Sequence, residues 1–169
     1  LAVRNLEAGA AAAADIGHGV TVEELDLSSF ASIRAFASRW GERPLHVLIN
    51  NAGVMACPQS YTADGLEMQI GTNHFGHFLL SVLLRQALEA ASTPERKSRI
   101  VALSSIGHLR SGVNFDDPNY RSRPYDKWEA YGQSKSANAL FAVGWQASCG
   151  DKVSANSVMP GGIMTPLQR

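Results

Sequence analysis

Residues 44–53 read Pro-Leu-His-Val-Leu-Ile-Asn-Asn-Ala-Gly, and within them Leu45 to Ile49 form a short, nearly all-apolar run. A strand of that composition is expected to be buried on both faces, as in a parallel sheet covered by helices on each side. It closes in Asn50-Asn51-Ala52-Gly53. Side-chain amides there tie neighbouring loops together, and small residues let a flat ligand approach the backbone, although a plain turn has the same composition.

Working outward, each apolar run is followed by a helical pattern. Upstream, Leu1 to Val3 read as the end of a strand, and Asn5 caps a helix reaching about Ala14. Val20 to Glu24 alternate as a strand, and Ser28 or Ser29 caps a second helix with Phe30, Ile33, Ala37 and Trp40 at helical spacing. Downstream, one long helix is expected from about Asp64 to Ala91, then a buried strand at Ile100 to Leu103. An irregular, aromatic and proline-rich stretch from Gly107 to Trp128 precedes a helix from about Ala130 to Ser148 and a last strand at Val153 to Met159. Strict alternation of strand and helix implies one α/β domain over residues 1–169, a doubly wound parallel sheet of Rossmann type. Ligands of such sheets bind beyond the carboxyl ends of the strands.

Composition narrows the function. The chain has 169 residues, 45% hydrophobic and 18% charged, with 15 basic and 15 acidic side chains and a net charge of zero. That balance lacks the basic footprint of a nucleic-acid binder, and no run of 18 apolar residues encodes a membrane span. Cys57 and Cys149 stand far apart, as expected of reduced thiols in the cytoplasm. His74 and His77 lack a third ligand at metal spacing, so no metal site is expected.

The residues fit for chemistry stand at strand ends or on the helices that follow. Tyr131-Gly-Gln-Ser-Lys135 sets a phenol and an ammonium four apart on one helical face, where the cation favours the phenolate. Taken singly, the same spacing is more often a solvated face. Ser104-Ser105 ends a strand and offers a hydroxyl at the ligand edge, or a helix cap. Asn73, inside a helix among apolar neighbours, implies a local helix distortion or a buried polar role. Pro160-Gly161-Gly162-Ile163-Met164-Thr165 follows the last strand as a ligand-wrapping loop or a turn.

In this order the five motifs resemble the short-chain dehydrogenase/reductase family over essentially the whole chain. The Asn-His-Phe-Gly-His-Phe segment at 73–78 and the aromatic insertion before Tyr131 resemble its retinol-dehydrogenase-like branch, whose substrates are often lipophilic carbonyls or alcohols. The resemblance implies that Tyr131 exchanges a proton with the substrate oxygen while hydride moves to or from a nicotinamide ring. Lys135 would support the tyrosine and hold the nicotinamide ribose, Ser105 would orient the substrate oxygen, and Asn73 would hold a water relay to the lysine. It likewise implies that Asp26 contacts the adenine, Asn50, Ala52 and Gly53 the adenosine ribose, and Ile163 and Thr165 the carboxamide. Arg4, where NAD-preferring members carry an acid, would pair with a 2′-phosphate, favouring NADP with NAD possible.

A family member also begins with a strand and a Thr-Gly-x-x-x-Gly-x-Gly turn that holds the pyrophosphate. That pattern does not occur in the 169 residues. The expectation is an internal fragment of a longer enzyme, inactive by itself, with a slot where the first strand belongs and a homo-oligomer when complete. Two other readings remain: a sugar-nucleotide epimerase or dehydratase, which generally lacks the Asn-Asn-Ala-Gly motif, and a non-catalytic nucleotide-binding regulator, which would be expected to have lost the tyrosine or lysine.

Overall fold

The structure, a computed structural model, describes residues 1–17 and 19–163. Thr165 therefore lies outside the described residues. Strand β1 (Ala2–Val3) leads into α1 (Leu6–Ile16), which starts where Asn5 accepts a hydrogen bond from the Ala8 amide at 3.0 Å. Strand β2 (Glu23–Glu24) is shorter than the alternation implies, and α2 (Phe30–Trp40) begins at the Ser29 cap. Strand β3 (Val47–Asn50) follows, then α3 (Met68–Ile70), a π-helical turn over Gly71–Gly76, α4 (His77–Leu83) and α5 (Arg85–Ala90). Strand β4 (Ser98–Leu103), a 3₁₀ turn over Ile106–Arg110, α6 (Lys127–Cys149) and β5 (Val153–Val158) complete the described chain.

Every strand pairing is parallel: β1 with β2, and β3–β4–β5 in that order. No pairing among the described residues joins β1 to β3, so the sheet stands in two pieces. Two apolar clusters cover it. Leu25, Leu27, Ile33, Phe36, Leu80 and Leu84 form one, and Leu88, Ile100, Phe141, Trp145 and Val153 anchor the other. Leu45 and Leu48 pack against both and join them.

Three expectations need correction. The run around β3 is buried on one face only: Leu48 enters the core, while Val47 and Ile49 alternate to the opposite face, which no described element covers, and Ile49 is left 60% exposed. The long helix from Asp64 to Ala91 is broken into pieces. Asp64 accepts instead from the Phe30 amide at 2.8 Å, helping to start α2, while the Glu67 carboxylate caps Met68–Ile70 through the Gln69 and Ile70 amides. Gly71–Gly76 then widens into a π turn, the local distortion that Asn73 signals, and Gly76 sits so close to the chain after β2 that a Cβ would meet Leu27 O at 2.4 Å. Helix α6 starts three residues early, at Lys127, because Asp126 accepts from the Trp128 and Glu129 amides.

Candidate active site

The 3₁₀ turn packs directly on α6, and two glycines permit it. A Cβ on Gly132 would meet Gly107 O at 2.6 Å, and one on Gly107 would meet the Tyr131 ring at 2.9 Å and Ser105 Oγ at 3.5 Å. The Ser105 hydroxyl and one edge of the Tyr131 ring therefore both lie against Gly107. Ser105 Oγ accepts from the Gly107 amide at 3.1 Å, which leaves its own hydrogen free to donate. Tyr131 is 7% exposed, with the Lys135 ammonium 5.5 Å from its ring centroid.

Lys135 is itself only 5% exposed and donates to Leu103 O at 3.0 Å. Burial pushes its pKa down to about 8, so the ammonium persists at neutral pH. Asn73, fully buried, grips the loop after β3 from both ends of its amide: Oδ1 accepts from the Val54 amide at 2.8 Å, and Nδ2 donates to Val54 O at 2.9 Å. The same Nδ2 lies 2.9 Å from Ser134 Oγ, the residue before the lysine. The link from Asn73 to α6 thus runs through Ser134. A Cβ on Gly53 would lie 2.8 Å from Asn73 Oδ1 and 3.9 Å from Lys135 Nζ, which places both side chains at that loop.

Ser105, Tyr131, Lys135 and Gly53 open on one cleft of about 1130 Å³ at the carboxyl ends of β3, β4 and β5, while Asn73 stands behind it, fully buried and outside its lining. Asn51, Ala52 and Gly53 line one wall, Ser105, Tyr131 and Lys135 the centre, and Met159 to Ile163 the far side. Met55, Ile106 and Trp128 add apolar surface, and among the described residues the charged ones lining it are Lys135 and Arg110, both cations.

Of the other expected cofactor residues, Asn50, Asp26 and Arg4 lie outside that lining. Asn50 is 2% exposed, and its Nδ2 donates to Ser81 Oγ at 3.0 Å, so its side chain faces the core and Asn51 lines the cleft in its place. Asp26 spends its carboxylate on the turn into α2, accepting from the Ser28 amide at 2.8 Å and the Ser28 hydroxyl at 2.6 Å. Arg4 is exposed just after β1, and Ile163 is exposed at the cleft. Of the aromatic insertion only Trp128 lines the cleft. Tyr125 is fastened inside, its hydroxyl 3.1 Å from both Cys57 O and the Glu67 carboxylate, and Arg123 covers the Tyr120 ring at 3.6 Å. Sequence reasoning missed Asn138, which donates to Leu103 O at 3.0 Å beside the lysine. Its place three residues beyond Lys135 and seven beyond Tyr131, on the same helical stripe, was the available signal.

The family model for short chain dehydrogenases matches residues 1–169, and the chain belongs to that family. It is 47% identical over 160 residues to a protein of Streptomyces lividans named "Probable oxidoreductase", covering 94% of this chain and 52% of that one. It is 44% identical over 177 residues to human retinol dehydrogenase 13, covering all of this chain and 52% of the relative. The chain thus spans about half the length of the curated relatives it matches. Among solved structures, an uncharacterized protein from Mycobacterium paratuberculosis superposes with a TM-score of 0.84 at 43% identity, covering 97% of this chain and 59% of that one. The Pseudomonas aeruginosa RhlG/NADP active-site complex superposes at 0.76 with 26% identity, covering 99% and 63%.

Proposed function

We propose that this chain forms the dinucleotide-binding and catalytic part of an oxidoreductase. It would move hydride between a nicotinamide cofactor, with NADP preferred to NAD, and the carbonyl or alcohol carbon of a lipophilic substrate. One observation carries the reading: Tyr131 and Lys135, buried on one face of α6, meet Ser105 in a single cleft at the strand ends.

The cleft suits such a cofactor. Its charged lining residues among those described are cations, as an anionic dinucleotide requires, and Gly53 lines the wall beside Lys135, packed on Asn73 where a Cβ would not fit. Lys135 gives one hydrogen to Leu103 O and keeps two for the nicotinamide ribose and the tyrosine side. Asn51, Ala52, Gly53 and Ile163 would hold the rest, with Arg4 taking a 2′-phosphate; the RhlG complex, a relative at 26% identity, is itself one with NADP. A bound nicotinamide supplies or accepts the hydride.

The chain's own residues handle the proton. In the reducing direction the Tyr131 hydroxyl gives its proton to the substrate oxygen as negative charge develops there. Ser105, its hydrogen uncommitted, donates to the same oxygen, and the Lys135 ammonium stabilises the phenolate left behind. Met55, Ile106 and Trp128 give the cleft apolar surface that favours an apolar substrate body. Apolar Phe78 and Val82 on α4, and Leu140 and Val143 on α6, are exposed and support a homo-oligomer built on these helices.

The test is Tyr131→Phe in a protein containing this chain. Loss of the proton donor should lower kcat for NADPH-dependent aldehyde reduction by about 100-fold or more, while the NADPH dissociation constant moves less than about twofold. Parallel loss of turnover and cofactor affinity would make Tyr131 a packing residue and sink the assignment.

A further inference from the structure

Leu103 ends β4, and its carbonyl oxygen accepts from two side chains of α6, Lys135 Nζ and Asn138 Nδ2, each at 3.0 Å. Each being 3.0 Å from one oxygen, the two nitrogens lie within about 6 Å of each other, close enough for a charge on one side chain to shift the titration of the other. Asn138 is 3% exposed and does not turn freely: its Oδ1 lies 3.2 Å from His74 Nδ1. Since the amide nitrogen is spent on Leu103, only the oxygen faces the imidazole, so Nδ1 carries the ring hydrogen and donates it.

His74 is suited to hold that state. It lies on the π turn, with ring centroids of Phe75, Phe78 and Phe141 at 5.1, 6.0 and 6.5 Å, and burial there lowers its pKa and keeps it neutral. The wider turn presents consecutive residues to α6, Asn73 to Ser134 and His74 to Asn138. His77, one turn on, sits with Nδ1 3.0 Å from the Asn73 carbonyl.

We infer that Asn138, oriented by His74, is a positioning residue for Lys135 that shares the Leu103 carbonyl with the ammonium and so keeps its remaining hydrogens turned to the cleft. A carbonyl already accepting one hydrogen bond offers less electron density to a second, so the lysine is anchored without being captured. The titratable groups facing Lys135 are Tyr131 on its own helix and His77 on α4, whose own titration senses the lysine charge. The consequence for turnover rests on the oxidoreductase reading, whereas the coupling of Asn138 to Lys135 does not.

Lysines labelled with carbon-13 at the ε position, in a protein containing this chain, allow Lys135 to be titrated by NMR without cofactor. Lys135→Arg assigns the signal by removing it. The parent midpoint is expected near 8. Asn138→Asp keeps the side-chain shape but sets a carboxylate within reach, and should raise that midpoint by about one pH unit or more. His74→Phe keeps a ring among the three phenylalanines but removes the donor; it should lower kcat for aldehyde reduction about tenfold, with KM within about twofold, in a protein that still melts cooperatively, though at a lower temperature because Asn138 Oδ1 is left unpaired. A Lys135 midpoint that stays put in folded Asn138→Asp overturns the positioning role. So does unchanged kcat in His74→Phe. A moved midpoint in a protein that reduces no carbonyl upholds the coupling of Asn138 to Lys135 and overturns the oxidoreductase reading instead.

Discussion

Gly53→Ala adds a single methyl group at the junction of the loop after β3, the π turn and α6. The new Cβ would stand 2.8 Å from Asn73 Oδ1 and 3.4 Å from its Cγ, nearer than carbon and oxygen can rest. Asn73 cannot swing aside cheaply, because Oδ1 accepts from the Val54 amide and Nδ2 is held between Val54 O and Ser134 Oγ. Overpacking a tight site costs about 1–3 kcal/mol, and loosening the Val54 hydrogen bond adds about 1 kcal/mol. A total near 2–4 kcal/mol corresponds to a drop of about 5–15 °C in melting temperature for a domain of this size. Thermal melts followed by circular dichroism measure it. The decisive comparison is a double-mutant cycle: in an Asn73→Ala background the clashing amide is gone, so Gly53→Ala should be nearly neutral, a coupling of about 2 kcal/mol. Additive effects, or a Gly53→Ala melt within about 1 °C of the parent, would refute the packing argument.

Other perturbations probe separate parts of the site. Arg4→Asp should shift the ratio of NADPH to NADH affinity about tenfold towards NADH in fluorescence titrations; an unchanged ratio removes Arg4 from the cofactor site. If Ser105 is the proposed donor to the developing oxyanion, Ser105→Ala lowers kcat/KM for aldehyde reduction about 100-fold with the NADPH dissociation constant little changed. His77 is held neutral, its pKa driven to about 4 mainly by burial. Between about pH 6.5 and 4 the unfolded chain therefore binds a proton that the native state refuses, and stability should fall by about 3 kcal/mol as pH drops through that window, levelling off below it. Urea melts at pH 7, 5.5 and 4 check this, and His77→Gln should lose that part of the slope.

Local signals in the sequence sufficed for the order of strands and helices and for most helix starts, because capping and apolar periodicity act within a few residues. Asn5 and Ser29 each stand at the helix start their type implies. Tyr131 and Lys135 were legible for the same reason: four residues apart on a helix means one face, whatever surrounds it. What the sequence could not decide were matters settled by contacts between distant segments. Asp64 looks like the opening of a long helix, yet it serves the start of α2, 34 residues earlier, and that helix breaks into pieces around Asn73, where Gly76 presses on the chain after β2. Asn50 and Asn51 are the same residue type side by side, and only the strand register, which turns successive side chains to opposite faces, sends Asn50 to Ser81 and leaves Asn51 at the cleft. The helical stripe puts Asn138 beside Lys135, but that both donate to the Leu103 carbonyl, with His74 behind Asn138, is decided by the convergence of the π turn, α6 and the end of β4.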